Sequence, residues 1–93
     1  MNNILYLNLK AKWYDLIESG YKKEEYREIK DYWIKRLDNK VYDKVCFIYG
    51  YTKRKMVFNI KSITKGIGNK EWGAPSYPVY IIKLGEKIDM ACL

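Results

Sequence analysis

The segment ILYLNL, near the start of the chain, alternates strictly between two kinds of side chain. Leu5, Leu7 and Leu9 fall on one side, and the other side carries Tyr6 and Asn8. A period of two residues is typical of a β-strand with one buried face. The chain must therefore build a sheet that covers this leucine face.

Three later segments also predict strands: residues 42–51, 55–68 and 79–88. In the first, Val45 and Phe47 alternate with Cys46. In the second, Met56 and Phe58 share one face with Ile60, and their neighbours share the other.

Two shorter segments predict helices. In residues 11–19, Trp13, Leu16 and Ile17 recur at helical spacing, and Gly20 follows where a helix C-terminus is usually capped. A second helix begins near Asp31, which we expect to be its N-cap, and continues through Leu37.

Between the two helices lies SGYKKEEYREIK, residues 19–30, which carries seven charges in twelve residues. A solvated surface, a disordered segment or the lining of a polar site could each have this composition. If the segment is a strand, its alternation places Glu25, Arg27 and Ile29 on one face, with Tyr26 and its polar neighbours on the other.

The predicted order is therefore β-α-β-α-β-β-loop-β, with a long loop over residues 66–78 that contains three glycines and both prolines. This order predicts a single domain over residues 1–93 in the α+β class, mainly β. We expect a small mixed β-barrel in which two or three short helices flank or plug one end. The charged segment would line the mouth of that barrel, where ligand pockets commonly form.

Net charge and composition indicate which classes of ligand or partner the chain could bind. The formal net charge is +7, from 18 Lys and Arg against 11 Asp and Glu, which favours a polyanion such as nucleic acid. A genome rich in A and T also favours Lys, Ile, Asn and Tyr, so the charge has a second explanation. With no histidine and two cysteines we expect neither a metal nor a cofactor.

The remaining composition predicts a cytoplasmic protein without a membrane segment, because no signal sequence opens the chain and no apolar run is long enough to span a bilayer. One disulfide is compatible with the cysteine count. Cys46, however, lies in an apolar strand and is expected to be a buried, reduced thiol, while Cys92 lies near the end of the chain.

The stretch GYKKEEYR contains Gly20, Lys22, Glu25 and Arg27 in the pattern G-x-K-x-x-E-x-R. This pattern resembles the signature of the ASCH domain, a branch of the PUA-like superfamily. The likeness covers roughly residues 4–86 and includes the preceding strand and helix and the late EWGAP loop. The resemblance implies a PUA-like barrel with a cleft between barrel and helices, and a role with RNA or a nucleotide derivative.

The motif residues suit such a ligand. Glu25, between two cations, should stay ionised and accept a hydrogen bond from a base amino group. Arg27 offers a planar donor fork, and Lys22 a flexible charge, which the left-handed backbone of Gly20 would aim into the cleft. The alternative is that the three side chains form an internal ion-pair network with a purely structural role.

Some relatives implied by the resemblance are amidohydrolases of acylated cytidines or ribonucleases. The amidohydrolases have a threonine nucleophile where this chain has Glu25, so that chemistry is in doubt here. A hydrolase would use Lys22 as base, assisted by Glu25 or by Glu71 in the late loop.

Aromatic and basic residues complete the predicted site. Tyr26, Tyr49, Tyr51 and Trp72 are candidates for stacking on a base, with core filling as the alternative. Arg54, in the basic segment YTKRK, is a candidate phosphate contact, although hairpin tips are often basic for solubility alone. For Trp13 and Trp33, not among these candidates, we expect core filling.

Two functional hypotheses follow. The first is a module that binds RNA or a modified nucleoside in a cleft lined by the motif. The second is a small metal-independent hydrolase. A third interpretation, a phage-encoded protein that blocks a host factor, has no separate sequence signal.

Overall fold

The computed structural model describes residues 3–88. The elements, in chain order, are β1 (Ile4–Leu9), α1 (Ala11–Glu18), β2 (Glu24–Arg27), α2 (Asp31–Leu37), β3 (Lys44–Tyr49), β4 (Lys55–Gly66), a one-turn 3-10 helix (Lys70–Trp72) and β5 (Val79–Ile88). The predicted order of strands and helices is confirmed. Cys92, and with it the disulfide interpretation, lies outside the described residues.

The strands form one mixed sheet in the order β1-β3-β4-β5-β2. β1 and β3 are parallel, and the other neighbouring pairs are antiparallel. β1 and β2 are the two edges of this order, yet Nη2 of Arg27 on β2 donates a hydrogen bond of 3.1 Å to the carbonyl of Asn8 on β1. The sheet is thus curled until its edges approach, which gives a half-barrel and confirms the mainly β, α+β class.

The concave side of the half-barrel holds the main core, and the predicted strand faces supply it. Leu5, Leu7 and Leu9 are buried, while Tyr6 on the opposite face is 62% exposed. α1 adds Tyr14 and Ile17. The other buried members come from α2, β3, β4 and β5: Leu37, Val45, Phe47, Met56, Phe58, Tyr80, Ile82 and Leu84. Cys46 is a buried free cysteine, as predicted.

Several local predictions need correction. α1 ends at Glu18, and its buried residues are Tyr14 and Ile17, whereas Trp13 is only half-buried. The N-cap of α2 is Lys30, and no side chain caps this end, so the assignment of Asp31 was wrong by one residue.

The alternation predicted for β4 holds only as far as Ile60. Ile60 and Ile63 both pack against the main core although they are three residues apart, because the pairing with β5 shifts register on each side of Ile60. A β-bulge adds one residue to a strand, so the side chains that follow it change faces. The alternation of β4 in the sequence gives no signal for the irregularity at Ile60.

The late loop folds over the convex face at β2 and β5. Its Ala74 packs with Tyr26 and Val79 in a second, smaller core cluster, which Trp72 and Ile81 border. The loop therefore lies directly above the strand that carries the charged motif.

Candidate functional site

The charged motif, Gly20 to Arg27, begins just after the C-terminus of α1 and continues through β2. Gly20 has a φ of 87°, the left-handed conformation predicted for it, and turns the chain into β2. β2 pairs with β5 so that Glu25 lies opposite Ile82 and Tyr26 opposite Ile81. Glu25 and Arg27 therefore face the core side and Tyr26 faces the late loop, which confirms the predicted alternation.

Lys22 is the centre of the motif. Its side chain is almost completely buried, and Nζ lies 2.9 Å from Oε1 of Glu25. Nζ also donates hydrogen bonds of 2.7 Å to the carbonyls of Glu24 and Trp72. An ammonium group has three N–H donors, so these three acceptors use all of them.

Aromatic rings cover the ammonium of Lys22. Its Nζ lies 4.8 Å from the ring centroid of Tyr26 and 5.3 Å from that of Trp13. Burial lowers the pKa of Lys22, while the adjacent carboxylate of Glu25 opposes that shift. These contacts describe a buried cation with a full set of partners.

Glu25 joins the two cations. Its second oxygen, Oε2, accepts a hydrogen bond from Nη1 of Arg27. Nη1 of Arg27 also donates to the carbonyl of Tyr26 at 2.9 Å, and the guanidinium stacks 5.2 Å from the ring centroid of Trp33. Lys22, Glu25 and Arg27 thus converge, and they form the internal ion-pair network of the alternative interpretation.

The motif also holds the late loop. Besides the bond from Lys22 to the Trp72 carbonyl, Oη of Tyr26 accepts from the backbone N–H of Asn69 at 3.0 Å and donates to Oε1 of Glu24 at 2.8 Å. Close approach is needed here: a Cβ on Gly68 would lie 2.5 Å from the Tyr26 ring. Two hydrogen bonds and a glycine contact therefore fix the loop on β2.

A cleft of about 300 Å³ opens between the end of β2 and this loop. Its lining residues are Tyr26, Arg27, Glu28, Gly73, Pro75, Tyr77 and Val79. We call it the β2–loop cleft. Tyr77 is 52% exposed, and the Arg27 side chain is 17% exposed.

Arg27 lines this cleft and does not use all of its hydrogen-bond donors. A guanidinium has five N–H donors. Within residues 3–88, its hydrogen bonds to Glu25, Tyr26 and Asn8 use three of the five. Two donors remain, on a side chain that is 17% exposed.

The predicted aromatic contacts divide into different environments. Tyr26 is buried beneath the loop, and Trp72 is half-buried beside it, edge-on to Tyr21. Tyr49 packs edge-on against Tyr14 with a centroid distance of 5.0 Å. Tyr51, 99% exposed on the β3–β4 hairpin, does not line the β2–loop cleft.

The other predicted polar residues are engaged elsewhere. Arg54 forms an ion pair of 2.8 Å with Glu18 and stacks near the rings of Tyr14 and Tyr49. Glu71 is exposed and accepts a hydrogen bond of 2.6 Å from Oη of Tyr21. The hydrolase prediction needs Lys22 as an unprotonated base. The contacts of Lys22 with the Glu25 carboxylate and two backbone carbonyls suit its protonated form instead.

Sequence reasoning missed four residues that shape the site. Glu28 and Tyr77 line the cleft, Asn8 accepts from Arg27, and Trp13 covers Lys22 and Gly73. Tyr77 had a weak signal, because it lies between two prolines, whereas Asn8 accepts through its backbone carbonyl, which every residue has.

Among the described residues, no group of three or more Cys, Asp or Glu side chains is placed to hold a metal ion. No helix in this part of the chain is long and apolar enough to cross a membrane. No known family model matches the chain, and no curated protein is significantly similar to it. The ASCH resemblance therefore stays a prediction.

Proposed function

We propose that the protein binds RNA or a modified nucleoside, with one base held in the β2–loop cleft. The observation that carries this proposal is Arg27, anchored by Glu25 and Asn8, at the wall of a cleft that also contains the exposed ring of Tyr77. The cleft volume of about 300 Å³ is at the lower end of the range for ligand pockets.

The chemistry of the lining supports a base rather than a simple anion. Arg27, which has two donors left, and Glu28, which has an exposed carboxylate, both line the cleft, and a base edge carries both acceptors and donors. Tyr77 provides a flat surface for the base to stack on. The formal net charge of +7 adds attraction for an RNA backbone.

The motif acts indirectly in this proposal. The buried Lys22–Glu25 pair orients Arg27 and holds the late loop, so the charged segment builds the cleft more than it lines it. A ligand then meets a preorganised wall, which lowers the ordering cost of binding.

The test is a titration of the protein with free nucleosides, modified nucleosides and short single-stranded RNA at low salt, followed by NMR or calorimetry. Tyr77→Ala should weaken nucleoside binding by about 5- to 150-fold, since stacking contributes about 1–3 kcal/mol. RNA affinity should fall as salt rises.

Tyr51→Ala is the matched control, because it removes an equally large ring that is 99% exposed and outside the cleft. Nucleoside affinity should be unchanged in this variant. If no nucleoside or RNA binds, or if both variants lose affinity equally, the cleft is not the binding site. Release of cytidine from an N4-acylcytidine, abolished by Lys22→Ala, would instead favour the hydrolase.

A further inference from the structure

A second cleft, of about 350 Å³, lies between the C-terminal end of α1 and the β4–β5 ladder. Its lining residues are Ile17, Gly20, Lys22, Lys23, Phe58, Lys61, Leu84, Gly85 and Glu86. We call it the α1–ladder cleft. It shares no lining residue with the β2–loop cleft.

An irregular part of the ladder creates this cleft. Phe58 pairs with Lys87, but Ile60 pairs with Leu84, so β5 has one more residue than β4 in this interval. In the next interval Ile60 pairs with Leu84 and Ser62 pairs with Lys83, so here β4 has one more residue than β5. Two bulges on facing strands therefore lie next to each other, and bulges often re-aim side chains beside binding sites.

The bulged residues are the ones that line the cleft. Gly85 and Glu86 come from the irregular interval of β5, and Lys61 comes from that of β4. A Cβ on Gly85 would lie 3.5 Å from Cγ of Lys61, so the lysine stem runs close over the glycine.

The floor of the cleft is apolar. Ile17, Phe58 and Leu84 line the cleft and belong to the main core, where each is more than nine-tenths buried. Lys22 forms a rigid part of the wall because its ammonium is already bound by three acceptors and does not face a ligand. An aromatic or branched ligand body can pack on the small apolar area that these residues still expose.

The rim of the cleft is charged. Lys23 and Lys61 are exposed cations, and Glu86 is an exposed carboxylate, so the rim has one net positive charge. At the adjoining end of α1, the carbonyls of Leu16 and Ile17 already accept hydrogen bonds from the N–H groups of Lys22 and Gly20. These two carbonyls therefore add little negative potential to the rim. A ligand with a single negative charge matches this balance.

We propose that the α1–ladder cleft is a second binding site, for a small organic monoanion with an apolar ring or branched body and one carboxylate or similar group. The body lies on the core side chains, and the anionic group lies between Lys23 and Lys61. This site is distinct from the proposed nucleoside site, because the two clefts share no lining residue.

The experiment uses isotope-labelled full-length protein and three probes: 1-naphthoate, the neutral 1-naphthylmethanol and inorganic phosphate. Naphthoate should shift the amide resonances of Gly20 and Gly85, with an affinity about 5-fold or more above that of naphthylmethanol, since two exposed charge contacts contribute modestly. Phosphate alone should cause no such shift. Equal binding of phosphate and naphthoate, or no shift at either glycine, would overturn the proposal.

Lys61→Gln should weaken naphthoate by about 2- to 5-fold, which is the effect of one exposed charge contact. Lys61→Glu should reverse the preference toward the cation 1-naphthylmethylammonium. Lys53→Gln, on the exposed β3–β4 hairpin, is the matched control and should bind naphthoate like the wild type. Urea unfolding of each variant checks that the fold is kept, and an unchanged preference in folded Lys61→Glu would contradict the proposed site.

Discussion

Nζ of Lys22 and Oε1 of Glu25 lie 2.9 Å apart, and both side chains are at least nine-tenths buried. The pair joins the exit of α1 to β2, and through the Trp72 carbonyl it joins both to the late loop. Removing two charges from water is costly, so such a pair persists only when further hydrogen bonds complete it. Here Lys22 donates further hydrogen bonds to the carbonyls of Glu24 and Trp72, and Glu25 accepts a further hydrogen bond from Arg27.

Removal of Glu25 should be strongly destabilising. Glu25→Ala leaves the Lys22 ammonium buried without its counter-ion, and loss of one partner of a buried pair costs about 3–5 kcal/mol. The free energy of unfolding in urea measures this. Glu18→Gln breaks the exposed pair with Arg54 and is the control, with an expected change below about 1 kcal/mol. Equal effects of the two substitutions would show that the buried pair has no special role.

Lys22→Met should loosen the late loop. The methionine fills the space but can neither donate to the Glu24 and Trp72 carbonyls nor pair with Glu25, so the expected cost is that of losing one partner of a buried pair, about 3–5 kcal/mol. Amide hydrogen exchange should therefore accelerate over residues 70–74, at the end of the loop held by Lys22. Lys23→Met, at the exposed neighbouring position, is the comparison and should leave this exchange unchanged. Unchanged protection in Lys22→Met would mean that other contacts hold the loop.

Tyr26 should make the fold sensitive to alkali. Burial is the main cause that raises the pKa of Tyr26 from 10.0 to about 12, with the nearby carboxylates of Glu24 and Glu25 acting in the same direction. Between these two values the unfolded phenol is ionised while the folded one keeps its proton. The folded state thus binds more protons, and stability falls by about 2–3 kcal/mol as pH rises from 10 to 12.

Tyr26→Phe should remove this contribution. The variant loses two hydrogen bonds and is less stable at pH 7, but its free energy of unfolding should fall less steeply between pH 10 and 12 than that of the wild type. Because other titrating groups remain in both proteins, the difference between the two curves isolates Tyr26. Parallel curves would show that the Tyr26 phenol is not the group responsible.

Gly68 and Gly66 provide a matched pair for the contact between loop and motif. Gly68→Ala places a Cβ 2.5 Å from the Tyr26 ring and 2.7 Å from Cβ of Ala74, so the loop must shift, at a cost of about 1–3 kcal/mol. Gly66→Ala places its Cβ 3.6 Å from Ile81, an ordinary contact, and should change stability little. Urea unfolding and nucleoside affinity measure both, and similar values for the two variants would contradict the close approach at Gly68.

The sequence predicted the strands well because one buried face imposes a period of two. The leucine alternation of β1 and the buried position of Cys46 appear in the structure as expected. The same reasoning failed after Ile60, since bulges depend on how β4 meets β5 and leave no trace in the alternation. It also misassigned Trp13, which lies over Lys22 instead of filling the main core.

The sequence by itself determined the order of strands and helices, the faces of the strands and the convergence of Lys22, Glu25 and Arg27, because these follow from local periodicity and from a spacing of a few residues. Only the tertiary structure decided which donors stay available and where clefts open. Those properties depend on groups far apart in the chain, such as the Trp72 carbonyl that binds Lys22 and the Asn8 carbonyl that binds Arg27. Hydrogen bonds between segments that are distant in the chain leave no periodic pattern in the sequence. Only the folded structure therefore shows which of these groups meet.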